Sequence, residues 1–353
     1  ALLGLSACAV NEMGINDSNL TTTGGEVKAS GNLVGAGASS QGEGQNAWIA
    51  SFIDVNPNIE VTYDPAGSGA GRENFQQGAS SFAGSDRAFN LEEISAGPFA
   101  ACTPDSDLVE LPVYVSPIAI VFNIEGVSAL NLDAATIAKM FTGEIKKWND
   151  PAIAEQNPTV TLPELEVTAV HRADKSGTTG NFTDYLSAAA PDVWRHGSVE
   201  EWPIEAGEAA PQTSGLINAV VGGQGTIGYV DASRATDLAT VSLKVGDRYV
   251  PYSPEAAAAV LDASEFEAER AATDLAINID RTATAGDVYP LVLVSYLIGC
   301  ESYADDSKAA LVKEYFSYVA SEFGQKIAQT NAGSAPISDE LRVKVEEAIA
   351  QID

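Results

Sequence analysis

An arginine, a nearby carboxylate and a run of small hydroxyl-bearing residues are grouped in the stretch HRADKSGTTGNF, residues 171–182. Arg172 can present two N–H groups to two oxygens of one anion, and Asp174 can hold the guanidinium in place as its partner. The Ser-Gly-Thr segment at 176–178 stands where a helical pattern begins, and the first N–H groups of a helix are unpaired donors that attract negative charge. These residue types in this spacing predict a binding site for a tetrahedral oxyanion.

Two other Gly- and Ser-rich turns also connect a short β-type run to a helical pattern. GAGASSQGEG follows the run at 32–35, and PAGSGAG follows the run at 59–63. A serine at such a position is commonly no more than the N-cap of the helix, so one turn alone carries little weight. Three such turns in one chain, one of them with an arginine, favour a single anion that all three contact.

Repeated alternation of strand, small-residue turn and helix predicts an α/β fold in which helices cover a mostly parallel sheet. Strands buried on both faces are predicted in three apolar runs, 113–123, 225–230 and 289–299. Helices are predicted where apolar side chains recur on one face. They comprise a helix with Trp48, Phe52 and Val55 on one face, short helices near 73–77, 134–141 and 215–221, and two long C-terminal helices near 306–329 and 338–352.

The composition restricts the classes of function. The chain has 353 residues, 45% of them hydrophobic, which is enough for a substantial core and suggests two domains. Its 19 Lys and Arg residues against 49 Asp and Glu residues give a formal net charge of -30, and such a chain can hardly supply the basic patches that nucleic acids require. After the N-terminal segment, no run of apolar residues reaches the roughly 18 that a membrane helix needs. We therefore expect an exported, soluble body that does not bind nucleic acid.

The N-terminal segment has the pattern of an export signal followed by a lipid attachment site. ALLGLSAC combines an apolar run with small residues directly before Cys8 and resembles a bacterial lipobox. The resemblance implies that residues 1–7 are the remainder of a signal peptide and that the Cys8 sulfur carries diacylglycerol, which anchors a cell-surface or periplasm-facing lipoprotein to the membrane. The polar residues 8–27 would then form a flexible tether. The alternative is a cysteine without such a role in an unstructured N-terminus.

Cys102 and Cys300 form an even pair in the exported body once Cys8 is lipidated. In an oxidising compartment we expect a disulfide between them, and two buried free thiols are the alternative. Two cysteines and two histidines are too few for a Cys/His zinc site, so we expect neither a metal nor a cofactor.

From about Gly31 to its end, the chain resembles the phosphate-binding proteins of bacterial ABC-type phosphate importers. The matching segments have the family's order and spacing: GAGAS at 35–39, AGSGAG at 66–71, GSD at 84–86, FTGEIKKWNDPAIAEQNP at 141–158, HRADKSGTT at 171–179, EWPI at 201–204 and GTIGYVD at 225–231. The resemblance implies a two-lobed periplasmic-binding-protein fold of the Venus-flytrap type with two hinge crossings. It implies one lobe formed by 28–114 with 285–353 and a second formed by 115–284, with crossings near Pro112 and Gly286.

The resemblance also implies that phosphate is bound in the cleft between the lobes by residues of both. The positions that match the family's binding residues are Ser39, Ser40, Ser68, Asp86, Arg172, Ser176, Gly177 and Thr178. The small residues would supply hydroxyl and backbone donors, Arg172 would contact two phosphate oxygens, and Asp174 would orient Arg172. Asp86 resembles the family's single carboxylate, which accepts the proton of the bound phosphate.

Two positions differ from the better-known family pattern. The family often continues GAGA with threonine, phenylalanine and prolines, whereas SSQGEGQ, residues 39–45, follows here. The backbone N–H of Ser40 survives this change, but we expect its side-chain contact and the rim of the cleft to differ. His171 stands where an arginine is common, and because neighbouring strand residues point to opposite faces, we expect it outside the direct phosphate contacts.

The resemblance implies high-affinity binding of inorganic phosphate by a monomer without enzymatic activity, which delivers phosphate to the membrane permease subunits of an ABC-type importer. Three alternatives stay open. A phosphatase or serine hydrolase could use Ser176 with His171, although the sequence has no G-x-S-x-G motif, P-loop or metal-ligand cluster. The same fold could bind sulfate, molybdate or a phosphonate, although Asp86 would repel a fully ionised oxyanion. It could also serve in surface adhesion or signalling.

Overall fold

A computed structural model describes residues 29–353 of the chain. The predicted signal-peptide remnant at 1–7, the predicted lipidation site Cys8 and the predicted tether at 8–27 lie outside the described residues. Residues 29–353 form a two-lobed α/β fold. No helix among them is long and apolar enough to cross a membrane.

The regular elements of residues 29–353 are thirteen strands and eleven α-helices. The strands are β1 (Gly31–Gly37), β2 (Ile59–Asp64), β3 (Phe82–Ser85), β4 (Leu108–Asn123), β5 (Ala129–Leu132), β6 (Thr168–Arg172), β7 (Glu208–Ala210), β8 (Thr226–Asp231), β9 (Ala239–Val245), β10 (Arg248–Val250), β11 (Glu265–Phe266), β12 (Ile277–Asn278) and β13 (Val292–Cys300). The helices are α1 (Gly42–Val55), α2 (Ser68–Gln76), α3 (Leu91–Ala96), α4 (Ala134–Phe141), α5 (Pro151–Ala154), α6 (Gly177–Ala189), α7 (Gln212–Gly222), α8 (Pro254–Asp262), α9 (Asp306–Ala320), α10 (Glu322–Ala332) and α11 (Asp339–Ala350).

One mixed sheet connects the two lobes. Its strands lie in the order β2-β1-β3-β13-β4-β8-β6-β7, and β9, which pairs with β5 and β10, also pairs with β4. Strand β1 is parallel to β2 and β3, and β6 is parallel to β7 and β8. Strand β4, in contrast, is antiparallel to β13, β8 and β9. The expectation of a mostly parallel sheet is wrong, because β4 and β13 run in opposite directions at the centre of the sheet.

Strand β4 joins the two lobes without a break. Its first part, Leu108 to Pro117, pairs with β13, and its second part, Ile118 to Asn123, pairs with β8. Nearly all of its side chains are buried, as its consecutive apolar residues predict for a strand covered on both faces. The change of partner in the middle of one strand makes β4 a structural link that both lobes share.

The sequence-based division into lobes at 28–114 with 285–353 and 115–284 stays a prediction, as do the crossings near Pro112 and Gly286. Gly286 has a φ of +73°, a left-handed conformation that glycine adopts without steric cost.

The predicted continuous helix at 306–329 is wrong, because the chain forms two helices there. Helix α9 ends at Ala320, and α10 begins at Glu322. Between them Ser321 is extended, and its hydroxyl accepts a hydrogen bond from the N–H of Gly324 at 3.0 Å. This is the contact of a helix N-cap, so Ser321, which the apolar pattern does not mark as a boundary, starts a second helix.

One part of the core forms where α1 packs against the C-terminal helices. Trp48 and Phe52, predicted on one face of a helix, are buried, and Phe52 packs edge-on against Tyr315 of α9 with ring centroids 5.2 Å apart. Val55 was predicted on the same face, but it is the last residue of α1 and is 53% exposed. The apolar face of α1 therefore ends one turn earlier than its sequence pattern.

A disulfide joins Cys102 to Cys300, as expected for an oxidising compartment. Cys300 is the last residue of β13, and Cys102 lies in the loop before β4. The bond links positions 198 residues apart in the chain and ties the loop before β4 to the end of β13.

Candidate functional site

The three Gly- and Ser-rich turns that were predicted to share one anion converge where the two lobes meet. The N–H of Gly67 donates to the carbonyl of Gly37 at 2.8 Å, which joins the turn before α2 to the end of β1. The N–H of Gly69 donates to the carbonyl of Lys175 at 3.1 Å, which joins α2 to the turn before α6. These hydrogen bonds hold the three turns together around the predicted site.

Asp86 follows β3 and lies at the centre of this junction, where it is 3% exposed. Its Oδ1 accepts hydrogen bonds from the hydroxyls of Ser40 at 2.6 Å and Ser295 at 2.7 Å. Its Oδ2 accepts one from Thr178 at 2.9 Å, and its backbone N–H donates to Ser68 Oγ at 3.1 Å. Burial raises the pKa of Asp86, and the three hydroxyl donors act against this rise because they favour the ionised carboxylate.

Arg172, the last residue of β6, is 3% exposed and is held by a carboxylate two residues later. Its Nε donates to Asp174 Oδ1 at 2.8 Å, and its Nη2 donates to Asp174 Oδ2. Asp174 also accepts a hydrogen bond from the N–H of Gln212 at 2.8 Å. Burial acts to raise the pKa of Asp174, but the hydrogen bonds and charge of Arg172 outweigh burial and lower this pKa. The opposite edge of the guanidinium, with Nη1 and the second N–H of Nη2, is not used by Asp174 and can donate to an anion.

The start of α6 offers backbone donors at the same junction. Ser176 is the N-cap of α6, and its Oγ accepts a hydrogen bond from the N–H of Thr179 at 3.2 Å. The N–H groups of Gly177 and Thr178 precede that capped position, and such groups at a helix start have no partner within the helix. Together with the positive end of the helix dipole, they form a site that favours negative charge.

Gly177 also brings α6 close to the first lobe. A Cβ atom at this position would lie 2.5 Å from Ser68 Oγ and 2.7 Å from Asp86 Cβ. One turn later on the same helix, Asn181 Nδ2 donates to the backbone carbonyl of Asp86 at 2.6 Å. The approach of the two lobes therefore depends on the absence of a side chain at Gly177.

The two serines after β1 both have side-chain partners. The Ser39 hydroxyl lies 2.9 Å from Thr213 Oγ1 and accepts a hydrogen bond from the N–H of Thr213 at 3.3 Å, whereas the Ser40 hydroxyl donates to Asp86. Sequence analysis did not single out Thr213, which lies in the first turn of α7. A signal was present, because β7 passes through Pro211 directly into α7, whose first residues, QTSG at 212–215, include small residues like those of the other three units.

An ion cluster beside the site also joins the lobes. Glu200 Oε2 pairs with Arg72 of α2 and with Arg87, whose Nη2 lies 2.9 Å away. Arg87 in turn pairs with Glu93 at 2.7 Å. Burial acts to raise the pKa of Glu200, but the charges of Arg72 and Arg87 outweigh it and lower this pKa. Glu200 directly precedes the matched EWPI segment, and its local sequence does not distinguish it from other acidic residues.

The side chains of Ser176 and His171 have other partners than each other. The His171 ring stacks on Trp202 with centroids 5.0 Å apart, and its Nδ1 lies 3.0 Å from the carbonyl oxygen of Arg172. Burial lowers the pKa of His171. The Ser176 hydroxyl accepts the capping hydrogen bond from Thr179. This geometry does not form the hydrogen bond between nucleophile and base that a hydrolase of this type uses.

The junction thus surrounds one carboxylate with many hydrogen-bond donors. The donors include the free edge of Arg172, the first N–H groups of α6 and the hydroxyls of Ser68 and Thr178. Asp86 is an acceptor, so an oxyanion bound here must donate a proton to it or place an oxygen lone pair against it. Within residues 29–353, no group of three or more His, Cys, Asp or Glu side chains is placed to hold a metal ion.

Comparison with known sequences gives relatives over nearly the whole chain. A family model described as a PBP superfamily domain matches residues 22–322. The phosphate-binding protein PstS3 of Mycobacterium bovis (strain BCG / Pasteur 1173P2) is 31% identical over 366 residues, which cover 99% of this chain and 95% of the relative. The phosphate-binding protein PstS 3 of Mycobacterium leprae (strain TN) is 30% identical, with 97% and 93% covered.

Comparison with solved structures shows the same fold. A high affinity periplasmic phosphate-binding protein (PfluDING) bound with phosphate superposes with a TM-score of 0.73 at 21% identity and covers 90% of this chain and 93% of its own. A putative phosphate ABC transporter substrate-binding protein from Clostridium perfringens, with bound phosphate, has a TM-score of 0.61 at 18% identity, with 87% and 100% covered. The two-lobed architecture is therefore that of the periplasmic-binding-protein fold.

Proposed function

Because this chain belongs to the PstS phosphate-binding proteins of the PBP superfamily, we propose that it binds inorganic phosphate between its lobes and delivers it to an ABC-type phosphate importer. The observation that carries this proposal is the buried carboxylate of Asp86, which accepts hydrogen bonds from Ser40, Thr178 and Ser295. Phosphate near pH 7 can use every one of these groups, since it accepts hydrogen bonds at its unprotonated oxygens and still carries a proton that Asp86 can accept.

The contacts of the described residues support roles for several of the predicted positions. Arg172, already oriented by Asp174, would place its free edge against two phosphate oxygens, and charged hydrogen bonds of this kind are the strong ones. The first N–H groups of α6 and the hydroxyls of Ser68 and Thr178 would contact further oxygens. Phosphate that enters the closed site would compete with Asp86 for the Thr178 hydroxyl and would bring its own proton to the vacated lone pair of Oδ2.

Titration calorimetry with phosphate, sulfate and arsenate tests the proposed function directly. We expect saturable binding of phosphate and much weaker binding of sulfate at pH 7. A protein that binds no phosphate, or that binds sulfate as tightly, would contradict the proposal. An assay of phosphomonoester hydrolysis with added metal ions provides the parallel test of the enzyme alternative, and we expect no turnover.

We further propose that the protein is exported and held at the membrane as a monomeric lipoprotein. The Cys102–Cys300 disulfide supports an oxidising compartment. The LSAC sequence before and at Cys8 supports lipid attachment to that cysteine. A diacylated cysteine carries two acyl chains, which suffice for stable anchoring where one chain gives only marginal binding.

Replacement of Cys8 tests the anchor. In Cys8→Ser the sulfur that would carry the lipid is absent, so we expect the protein to move from the membrane fraction into the soluble exported fraction. The measurement is cell fractionation followed by immunoblotting. Ala9→Ser, which changes the neighbouring residue in a similar way, serves as the control and should stay at the membrane. Equal membrane retention of both variants would exclude lipid attachment at Cys8.

Closure of the lobes gives a second prediction, at Gly177. In Gly177→Ala the new Cβ would overlap Ser68 Oγ and Asp86 Cβ in the closed state, and overpacking of this kind typically costs about 1–3 kcal/mol. We therefore expect phosphate affinity to fall by roughly fivefold to a hundredfold. Gly222→Ala is the matched control, because a Cβ at Gly222 has no atom within 4 Å and this residue also lies in a helix. Phosphate affinities of the two variants that agree by calorimetry would show that closure does not require a glycine at 177.

A further inference from the structure

Asp86 Oδ1 is the end of a buried chain of hydrogen bonds that crosses the first lobe. The Tyr315 hydroxyl donates to Gln45 Oε1 at 2.7 Å, and Gln45 Nε2 donates to Gln41 Oε1 at 2.8 Å. Gln41 Nε2 donates to Ser295 Oγ at 2.7 Å, and Ser295 donates to Asp86 Oδ1 at 2.7 Å. All members of the chain lie in the interior, so water does not compete for these hydrogen bonds. We call Gln45, Gln41 and Ser295 the glutamine relay.

The direction of the glutamine relay is fixed by groups that can act only as acceptors. Gln41 Nε2 also donates to the backbone carbonyl of Tyr296 at 3.0 Å, and this contact sets the orientation of the Gln41 amide. Because Ser295 Oγ accepts a hydrogen bond from Gln41, its own hydrogen is directed at Asp86. The Ser40 hydroxyl adds a second donor to the same Asp86 oxygen. Oδ1 is therefore surrounded by donors and is disfavoured as the site of a carboxyl proton.

We propose that Gln41, Gln45 and Ser295 are positioning residues that keep Asp86 an acceptor and so make the site select oxyanions that still carry a proton. This inference rests on the proposed function and deepens it, since it names side chains that act through Asp86. Loss of these side chains would change the charge state of Asp86 and would not remove a direct contact with the ligand. If Asp86 carried a proton, its O–H could donate to a sulfate oxygen, and the discrimination against fully ionised oxyanions would be lost.

The groups around Asp86 explain why a hydrogen-bond donor such as Ser295 can decide whether Asp86 is ionised. Burial favours the protonated form of Asp86, and the negative charge of Asp86 helps to raise the pKa of nearby Asp231. Arg172 and the hydroxyl donors favour the ionised form. The ionised state of Asp86 thus depends on opposing influences, of which Ser295 is one. Removal of a donor raises the pKa of Asp86, so the carboxylate takes up a proton at higher pH.

The glutamine relay begins in the segment that differs from the better-known family pattern. Gln41 and Gln45 belong to SSQGEGQ, which stands where threonine, phenylalanine and prolines are common. Gln41 closes the turn after β1, and Gln45 lies one turn later on α1, so helical spacing places both amides in one row. The change in this segment therefore places two polar side chains behind Asp86.

The test compares phosphate and sulfate affinities of three variants by calorimetry from pH 5 to 8. Ser295→Ala removes the donor to Asp86, and Gln41→Met removes the hydrogen bonds that orient Ser295 while keeping the side-chain length. Gln325→Met is the matched control. Gln325 is similarly buried, and its amide bonds to the backbone of Val113, Val319 and Ile337 rather than to the relay.

We expect the ratio of phosphate to sulfate affinity to fall by about tenfold or more in Ser295→Ala, because a hydrogen bond to a charged group is lost. The fall should be largest at the acid end, and the pH at which selectivity declines should be higher than in the wild type. Gln41→Met should show the same shift to a smaller extent, and Gln325→Met should keep the wild-type ratio at every pH. Thermal unfolding confirms that each variant is folded before it is titrated.

The outcomes separate this inference from the proposed function. Wild-type protein that binds no phosphate would overturn both. Wild-type protein that selects phosphate, with Ser295→Ala and Gln41→Met retaining its ratio across the pH range, would overturn the role of the glutamine relay alone. An equal loss of affinity for both anions would also overturn it, because a purely structural role weakens phosphate and sulfate binding together.

Discussion

Arg172→Ala should weaken phosphate binding by roughly two to four orders of magnitude. Two charged hydrogen bonds from the free edge of the guanidinium would be lost, each worth about 1.5–3 kcal/mol. The substitution also leaves Asp174, which accepts the Nε and Nη2 hydrogen bonds of Arg172, as a partly buried negative charge near the bound anion. Both consequences act in the same direction, so this substitution should have the largest effect on affinity.

Calorimetry of three companion variants shows where the effect of Arg172→Ala arises. Arg172→Lys keeps the charge but not the planar fork, so it should recover only part of the affinity. Arg172→Ala combined with Asp174→Asn should bind more tightly than Arg172→Ala alone, because the unpaired charge is removed. Arg195→Ala changes an exposed arginine outside the junction and should bind as the wild type does. Wild-type affinity in Arg172→Ala would mean that phosphate binds elsewhere.

Asp86→Asn should change the choice between phosphate and sulfate. In the wild type, sulfate places an unprotonated oxygen against the ionised carboxylate, and like-charge juxtaposition in a desolvated site costs several kcal/mol. At 1.4 kcal/mol per factor of ten, this corresponds to rejection of sulfate by roughly three orders of magnitude. Asparagine keeps the shape of the side chain and removes the charge, so most of this discrimination should disappear.

The contacts of Asp86 also predict how the new amide will be oriented. Ser40 and Ser295 both donate to Oδ1, so the asparagine oxygen should remain at this position and its NH₂ group should take the place of Oδ2. This orientation presents a donor to the ligand, which suits sulfate, and it removes the acceptor for the proton that phosphate donates. Calorimetry with both anions at pH 7 measures the change, with Asp54→Asn as an exposed control for net charge. A phosphate-to-sulfate ratio equal to that of the wild type would assign selectivity to other groups in the cleft.

Much of the site follows from short stretches of sequence. Arg172, Asp174 and the cap Ser176 lie within a few residues of one another, and their contacts depend on the local geometry of a strand end, a turn and a helix start. Glycine and serine in the sequence predict such local geometry, because their backbone and capping preferences act over one to four residues. The α/β class and helix α4, found at the predicted bounds, follow from patterns of the same short range.

The partners that complete the site depend on the tertiary structure. Ser295 reaches Asp86 across 209 residues, and Ser39 meets Thr213 across 174. In sequence, Ser295 is one polar residue in an apolar strand, and its contact exists because β13 pairs antiparallel with β3 and brings Tyr296 opposite Ser85, next to Asp86. Strand direction, register and the approach of the lobes result from packing of the whole core, in which distant segments compete for the same partners. A local sequence pattern does not contain this information. The glutamine relay could therefore be identified only from the tertiary structure.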